Sequence, residues 1–328
     1  MKRENEGILF LTRGAGDRPA WNISGKGFCQ VKLANFCTVK KFKIKAGGHK
    51  IPVLVLRPLE PVKDVPGVMW IHGGGYMTGM KEMVLVSRAA DLVRRFGAVV
   101  VSPGYTRSVH KPYPAAVNDC YEVLRWMKSQ SGELGFRDDQ IMVGGESAGG
   151  GLCAAVCMMA RDREEVRVAF QMPLYPMLDS NDTESSRDNH GKVWDTKRNH
   201  FGWRLYLRDN PDGEVGPYAS PSRQTDYHGL PPCYTFVGNG EPFYSETVLY
   251  VEKLKAAGVE ASVDVFPSDV HAFDVWMPGS EIAKQAVESF CGKFAYAKEH
   301  YFAPQENVRE RGHLNDPERT GNGGSILD

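Results

Sequence analysis

Four groups of residues in this chain have the types and the order that acyl transfer requires. Ser147 stands in Gly145-Glu146-Ser147-Ala148-Gly149; His72-Gly73-Gly74-Gly75 lies upstream, and Glu241 and His271 lie downstream. A serine hydroxyl attacks a carbonyl only when a base removes its proton. The base needs an acid to orient it, and the oxygen that becomes negative needs N–H donors. In this reading Ser147 is the nucleophile, His271 the base and Glu241 the acid. The N–H groups of Gly73, Gly74 and Ala148 form the oxyanion hole. Serine, then acid, then histidine is the chain order of one of the known triads.

Each piece has a plainer interpretation. With 35 glycines in 328 residues, a Gly-x-Ser-x-Gly arises by chance in about one such chain in five, so alone it is weak. His271 is one of nine histidines, and a lone histidine is more often structural than catalytic. The upstream glycine cluster could be a phosphate-binding turn, but it lacks the Gly-Lys-Ser/Thr of a P-loop and the spacing of a dinucleotide fold. Glu246 rivals Glu241 as the acid, although its position is one turn into an expected helix. Glu146 adjoins the nucleophile, yet at a tight turn its side chain points away, which suits a structural hydrogen-bonding group. The case rests on all the pieces occurring together.

Those residues need elements to hold them. Residues 141–143 read as a buried strand and 152–160 as a small-residue helix, so Ser147 falls on a sharp strand-to-helix turn, the setting of a nucleophile elbow. Strand 67–71 runs into the glycine cluster. Glu241 follows strand 233–237, and His271 lies between strand 261–266 and helix 280–298. Strands are also expected at 98–102 and 167–174, an antiparallel hairpin at 37–45 and 51–58, and helices at 81–96, 115–128 and 245–257. Strands apolar on both faces, alternating with helices, indicate a parallel sheet covered on both sides.

The stretch 179–228 breaks that pattern and is long, polar and aromatic. An excursion of this kind is expected to be a cap insertion. Its Trp194, Phe201, Trp203 and Tyr206, with Tyr76 beside the glycine cluster, are the candidates for lining a substrate pocket. Residues 1–35 are expected to form an N-terminal arm contributing to the cap, 36–300 the catalytic domain, and 301–328 a flexible polar tail.

Composition narrows the function classes. Hydrophobic residues make up 42% and charged residues 24%, and 40 Lys+Arg balance 40 Asp+Glu. Such a balance draws the protein neither to nucleic acid nor to an acidic membrane surface. No apolar run approaches the ~20 residues of a membrane helix. The seven cysteines are scattered, with no paired zinc-binding sets, and suit reduced thiols in a cytoplasmic setting.

Taken together, His72-Gly73-Gly74-Gly75-Tyr76, Tyr113-Pro114-Ala115-Ala116, Gly145-Glu146-Ser147-Ala148-Gly149-Gly150, Ser220-Pro221, Gly229-Leu230-Pro231-Pro232 and His271-Ala272-Phe273 resemble the hormone-sensitive-lipase-like esterases of the α/β-hydrolase superfamily. The likeness covers roughly residues 50–298 in collinear order. It implies an α/β-hydrolase fold: an eight-stranded, mostly parallel sheet flanked by helices, with a helical cap built from the N-terminal arm and an insertion after the sixth strand. It implies a serine carboxylesterase acting on small-molecule esters, with no metal and no organic cofactor, and admits a homodimer. Amidase, deacetylase or peptidase activity on the same triad is the alternative, and a non-catalytic receptor on the same fold the more distant one. This chain departs from the family pattern where Glu241-Pro242-Phe243 replaces Asp-Pro-Leu, where Glu146 replaces Asp, and in the loop Tyr105-Thr106-Arg107-Ser108-Val109-His110.

Overall fold

A computed structural model of the protein describes residues 36–210 and 215–305. The expected arm over 1–35, and the expected tail from 306 onward, lie outside the described residues.

The chain enters as the expected hairpin. Strand β1 (Cys37–Ala46) pairs antiparallel with β2 (His49–Pro58), and Gly47 and Gly48 turn the corner at φ 55° and 82°. Side chains of β1 alternate between buried and exposed over its first residues and remain largely accessible thereafter, as suits an edge strand. Next comes β3 (Pro66–Ile71), buried along its whole length. The helix expected over 81–96 is two elements. A 3-10 turn spans Lys81–Val86, and α1 (Arg88–Phe96) starts afresh, because Ser87 is extended and its hydroxyl accepts the Ala89 N–H. Serine at that position competes for the backbone and serves better as an N-cap than as a helix interior. Gly97, at φ 67°, closes the helix as expected.

Strand β4 (Val99–Pro103), helix α2 (Ala115–Ser129) and the single-turn α3 (Ser131–Leu134) lead into β5 (Arg137–Glu146). That strand is longer than its apolar core suggests, because Arg137 pairs with Pro66 before a register shift carries the pairing on from Ile141. Helix α4 (Ala148–Arg163) follows at once, then β6 (Phe170–Leu174). The excursion carries α5 (Thr196–Tyr206), capped by the Asp195 carboxylate on Arg198 N–H, and a 3-10 turn at Pro221–Arg223. Strand β7 (Cys233–Gly238), helix α6 (Tyr244–Ala256), strand β8 (Ala261–Phe266), the single-turn α7 (Phe273–Trp276) and α8 (Glu281–His300) complete the described chain.

The eight strands form one sheet in the order β1-β2-β4-β3-β5-β6-β7-β8. Only the pairings of β2, with β1 and β4, are antiparallel. Period-two alternation divides the core between the two faces. Met69 and Ile71 of β3 point into a cluster with α2 and α4, whereas Val68 and Trp70 point into one with α1 and α8. Layers on both faces explain why the interior strands are apolar without alternation. Among the described residues, no helix is long and apolar enough to cross a membrane.

Candidate active site

Because β3 and β5 to β8 run parallel, their C-terminal ends share one edge of the sheet, and the loops that leave them meet there. Ser147 follows β5 directly. Its backbone sits at φ 58°, ψ −122°, a conformation that costs a non-glycine residue free energy and persists only when its surroundings enforce it. The enforcement is visible. Ser147 N–H donates to Leu174 O at the end of β6, and Ser147 O accepts from Gly151 N–H and Met177 N–H, each at 3.0 Å. The glycines after Ser147 allow this approach: a Cβ on Gly149 would run into the Ile71 carbonyl, and one on Gly151 into the Met177 carbonyl and the Tyr76 hydroxyl. Tyr76, Tyr175 and Ala272, three of the other non-glycine residues at positive φ, lie beside the same sheet edge, so backbone strain is concentrated there.

The three triad candidates meet in one line. His271 Nε2 is 2.9 Å from Ser147 Oγ, and His271 Nδ1 makes a short hydrogen bond to Glu241 Oε2. The other Glu241 oxygen accepts the Gly238 N–H at 3.2 Å, which fixes the carboxylate. A carboxylate can only accept, so Nδ1 carries the imidazole proton and Nε2 is left free to accept from the serine. All three are buried: Ser147 is 8% exposed, His271 4% and Glu241 0%. The imidazole is held by aromatic edges as well. Phe243 and Tyr175 both approach it in T-shaped contacts, at 5.0 and 5.2 Å between ring centroids. Neither residue stands out in the sequence, because a buried aromatic near a strand end reads as core.

The rival acid is engaged elsewhere. Glu246 lies in the first turn of α6, and its Oε1 accepts the N–H groups of Leu178 and Asp179, at 2.6 and 3.2 Å. It ties the start of the excursion to α6, and burial pushes its pKa well above the usual carboxylate range. Glu146 turns away from the nucleophile, accepts the Arg88 N–H at 3.3 Å and is buried. Burial first, then the Asp274 carboxylate, pushes it up to about 8 against the pull of Arg88.

The glycine cluster faces the serine. A Cβ on Gly73 would come within 2.9 Å of Glu146 O and 3.2 Å of Ser147 Cβ, so Gly73 lies directly against the elbow. Among the described residues, the N–H groups of Gly73, Gly74 and Ala148 donate to no backbone acceptor. The loop is braced from behind. His72 Nδ1 donates to Gly73 O at 2.8 Å, its ring stacks on Tyr105, and the Tyr105 hydroxyl donates to His72 O. Burial pushes His72 down to about 4, so this histidine is neutral and structural. Gly74 O accepts from Met77 N–H and Thr78 N–H.

The excursion packs over this loop. The Trp194 ring occupies the space a Gly75 side chain would need, and a Cβ on Gly202 of α5 would lie 3.1 Å from Gly75 O. Of the other aromatic candidates, Tyr76, Trp203 and Tyr206 are buried against one another, with Tyr76 and Tyr206 stacked at 4.0 Å. Phe201 stands 44% exposed on α5 under the Arg204 guanidinium. The excursion also grips the acid loop: Ser185 Oγ donates to Pro242 O at 2.7 Å and Asn189 Nδ2 to Gly240 O at 3.1 Å. Serine and asparagine in a polar loop carry no signal that would single them out in sequence.

A buried nucleophile–base–acid line beside unpaired backbone donors can carry out acyl transfer, and similarity to known proteins agrees. The sequence model of the α/β-hydrolase fold matches residues 68–275. Carboxylesterase NlhH of Mycobacterium tuberculosis is 30% identical over 228 residues, which is 68% of this chain and 71% of its own. The solved structure of a bacterial heroin esterase is similar at a TM-score of 0.75 and 29% identity, over 79% of this chain and 84% of that one. That of esterase LipW from Mycobacterium marinum gives 0.74 at 30% identity, over 80% and 82%. The chain therefore belongs to the α/β-hydrolase-fold family, in its hormone-sensitive-lipase-like carboxylesterase branch.

Proposed function

We propose that the protein hydrolyses small-molecule carboxylic esters of short acyl chains through an acyl-enzyme intermediate. The observation that carries this reading is the hydrogen-bonded line from Ser147 through His271 to Glu241. Ser147 Oγ attacks the ester carbonyl while His271 Nε2 takes its proton. Glu241 keeps the imidazole in the tautomer that can accept, and offsets the charge that forms on it. The carbonyl oxygen becomes an oxyanion held by the N–H groups of Gly73, Gly74 and Ala148. His271 then gives its proton to the leaving alcohol, and the alcohol departs. Water, deprotonated by the same histidine, releases the acid. The residues 179–228 act as a cap that limits the acyl group, with Trp194 as the aromatic closest to the glycine loop. The neutral overall charge and the scattered cysteines support action in the cytoplasm. Labelling with a fluorophosphonate probe tests the assignment. The wild type should be labelled and Ser147→Ala should not; labelling that survives this substitution would refute it. Parallel assays on an ester and an amide of one acyl group should show the ester cleaved faster.

A further inference from the structure

Behind the triad, on the face of the sheet covered by α1 and α8, lies a buried set of charged groups for which the hydrolytic steps have no use. Arg88, the first residue of α1, is 8% exposed, and Asp274, three residues after His271, is completely buried. Arg88 Nε lies 3.0 Å from Asp274 Oδ2, and its Nη1 lies 3.0 Å from Asp91 Oδ2. The backbone N–H of the same Arg88 donates to the carboxyl of Glu146, the residue that precedes the nucleophile. Tyr175, whose ring abuts His271, is buried within the electrostatic reach of Asp274, Glu146 and Arg88.

One arginine thus links chain neighbours of both halves of the catalytic pair, Glu146 beside Ser147 and Asp274 three residues after His271. Its backbone holds the flank of the elbow, and its side chain holds the single-turn helix α7 that begins two residues after His271. A buried ion pair of this kind contributes little net stability, because desolvation offsets most of the Coulomb attraction. What it does supply is direction. The guanidinium presents its charge at several nitrogens, and here it faces two carboxylates as ion pairs at once, Nε toward Asp274 and Nη1 toward Asp91. The loop that bears His271 lies outside any long element, with Ala272 at φ 55°, so it needs an external tie to keep Nε2 within reach of Ser147 Oγ.

We infer that Arg88 and Asp274 are positioning residues: the pair locks the His271 loop to the elbow through α1 and holds the Ser147–His271 distance at its reactive value. The inference rests on the reading of Ser147 and His271 as nucleophile and base. It also accounts for a feature of this chain, an aspartate just behind the catalytic loop whose charge never reaches solvent.

The test separates positioning from folding. Replacing the pair together, Arg88→Met with Asp274→Leu, removes both charges of the buried pair, and Asp91 keeps Arg94 as its partner, so the thermal midpoint should stay close to that of the wild type. The milder Arg88→Lys keeps the charge but cannot span both carboxylates. For each folded variant, kcat and KM are measured on a short p-nitrophenyl ester, together with the rate of fluorophosphonate labelling. The double variant should lose about 10- to 100-fold in kcat, with KM within about twofold and labelling slowed in parallel. Arg88→Lys should show a smaller loss in the same direction. Wild-type kcat in either folded variant overturns the inference, since a purely structural pair would show that result. Failure of the wild type itself to hydrolyse the ester or take the probe at Ser147 would instead refute the hydrolase reading on which the pair's role depends.

Discussion

At the scale of single residues, the proposed acid Glu241 stands where the family resemblance leads to an expectation of aspartate, and it can be tested directly. Glu241 is one methylene longer than aspartate, and the structure accommodates the extra reach by pinning one oxygen on Gly238 N–H while the other meets His271. Glu241→Gln keeps the shape but can present an N–H to Nδ1, which favours the wrong tautomer; kcat should fall by ~10⁴, as for the amide substitution in the serine-protease triad. Glu241→Asp keeps the charge with a shorter reach and should lose less. Glu246→Gln retains an acceptor for Leu178 N–H and Asp179 N–H, so most activity should remain. Steady-state kinetics of the three variants at one pH, with folding checked by circular dichroism, decide the matter; a crippled Glu246→Gln beside a normal Glu241→Gln would reverse the assignment. Gly74 is the second case. A methyl group there would run into the Thr78 backbone, with φ at +120°. Gly74→Ala should therefore act by displacing the loop and its N–H, with a loss in kcat of ~10²–10³. An unchanged kcat in the folded variant would show that the donors lie elsewhere.

At the scale of elements, the proposed cap is expected to select which esters enter. Helix α5 meets the glycine loop at Gly202, and Trp194 closes over Gly75, so a rigid ring lies against the proposed oxyanion loop. Each acyl methylene that fits contributes up to ~0.8 kcal/mol, and the next one must displace an indole. Across a series of p-nitrophenyl esters, kcat/KM should peak at a short chain and then fall, and Trp194→Ala should move the peak to longer chains. A wild-type preference for acyl chains of about twelve carbons or more would contradict the cap argument. The main elements were legible in sequence wherever hydrophobic pattern and punctuation agreed: the apolar runs of β3, β4 and β7, the Gly47-Gly48 turn, and the Gly97 cap. Where the deciding interaction was a single hydroxyl, legibility ended. Ser87 splits the helix expected over 81–96, and nothing in the apolar spacing reveals it. The same limit applies at the site. Ser147, Glu241 and His271 can be picked out because their types and order are constrained by chemistry. Ser185 and Asn189 grip the Glu241 loop, and Arg88 reaches Asp274, across long sequence separations that no local pattern records.

At the scale of the whole molecule, the buried ionisable groups give stability a pH dependence whose sign can be worked out. Glu146 is raised from an ordinary 4.5 to about 8, chiefly by burial and then by Asp274, and burial raises Glu246 and Asp274 in the same direction. An acid whose pKa is higher in the folded state binds its proton more tightly there. Its contribution is fully present below the unfolded value and is lost as pH rises toward the folded one. His72, lowered to about 4 by burial, acts in the opposite sense: the folded protein keeps it neutral, so stability is lost as pH falls from its ordinary 6.5 toward 4. Between those limits the single contributions of Glu146 and His72 cancel. Above pH 6.5 only the acids remain, so the thermal midpoint should decline from there to about pH 8. Glu146→Gln isolates one term. Glutamine keeps an acceptor for the Arg88 N–H and cannot ionise, so it is spared the cost of charging a buried group. The difference in midpoint between variant and wild type should shift in the variant's favour as pH rises from 5 to 8.5, and most steadily between about 5 and 8. Thermal melts of both proteins across that range, in buffers matched for ionic strength, check the prediction. A difference that stays constant with pH would mean that the carboxyl of Glu146 titrates alike in the folded and unfolded chains, and a difference that moves in favour of the wild type would mean that Arg88 holds it as a carboxylate.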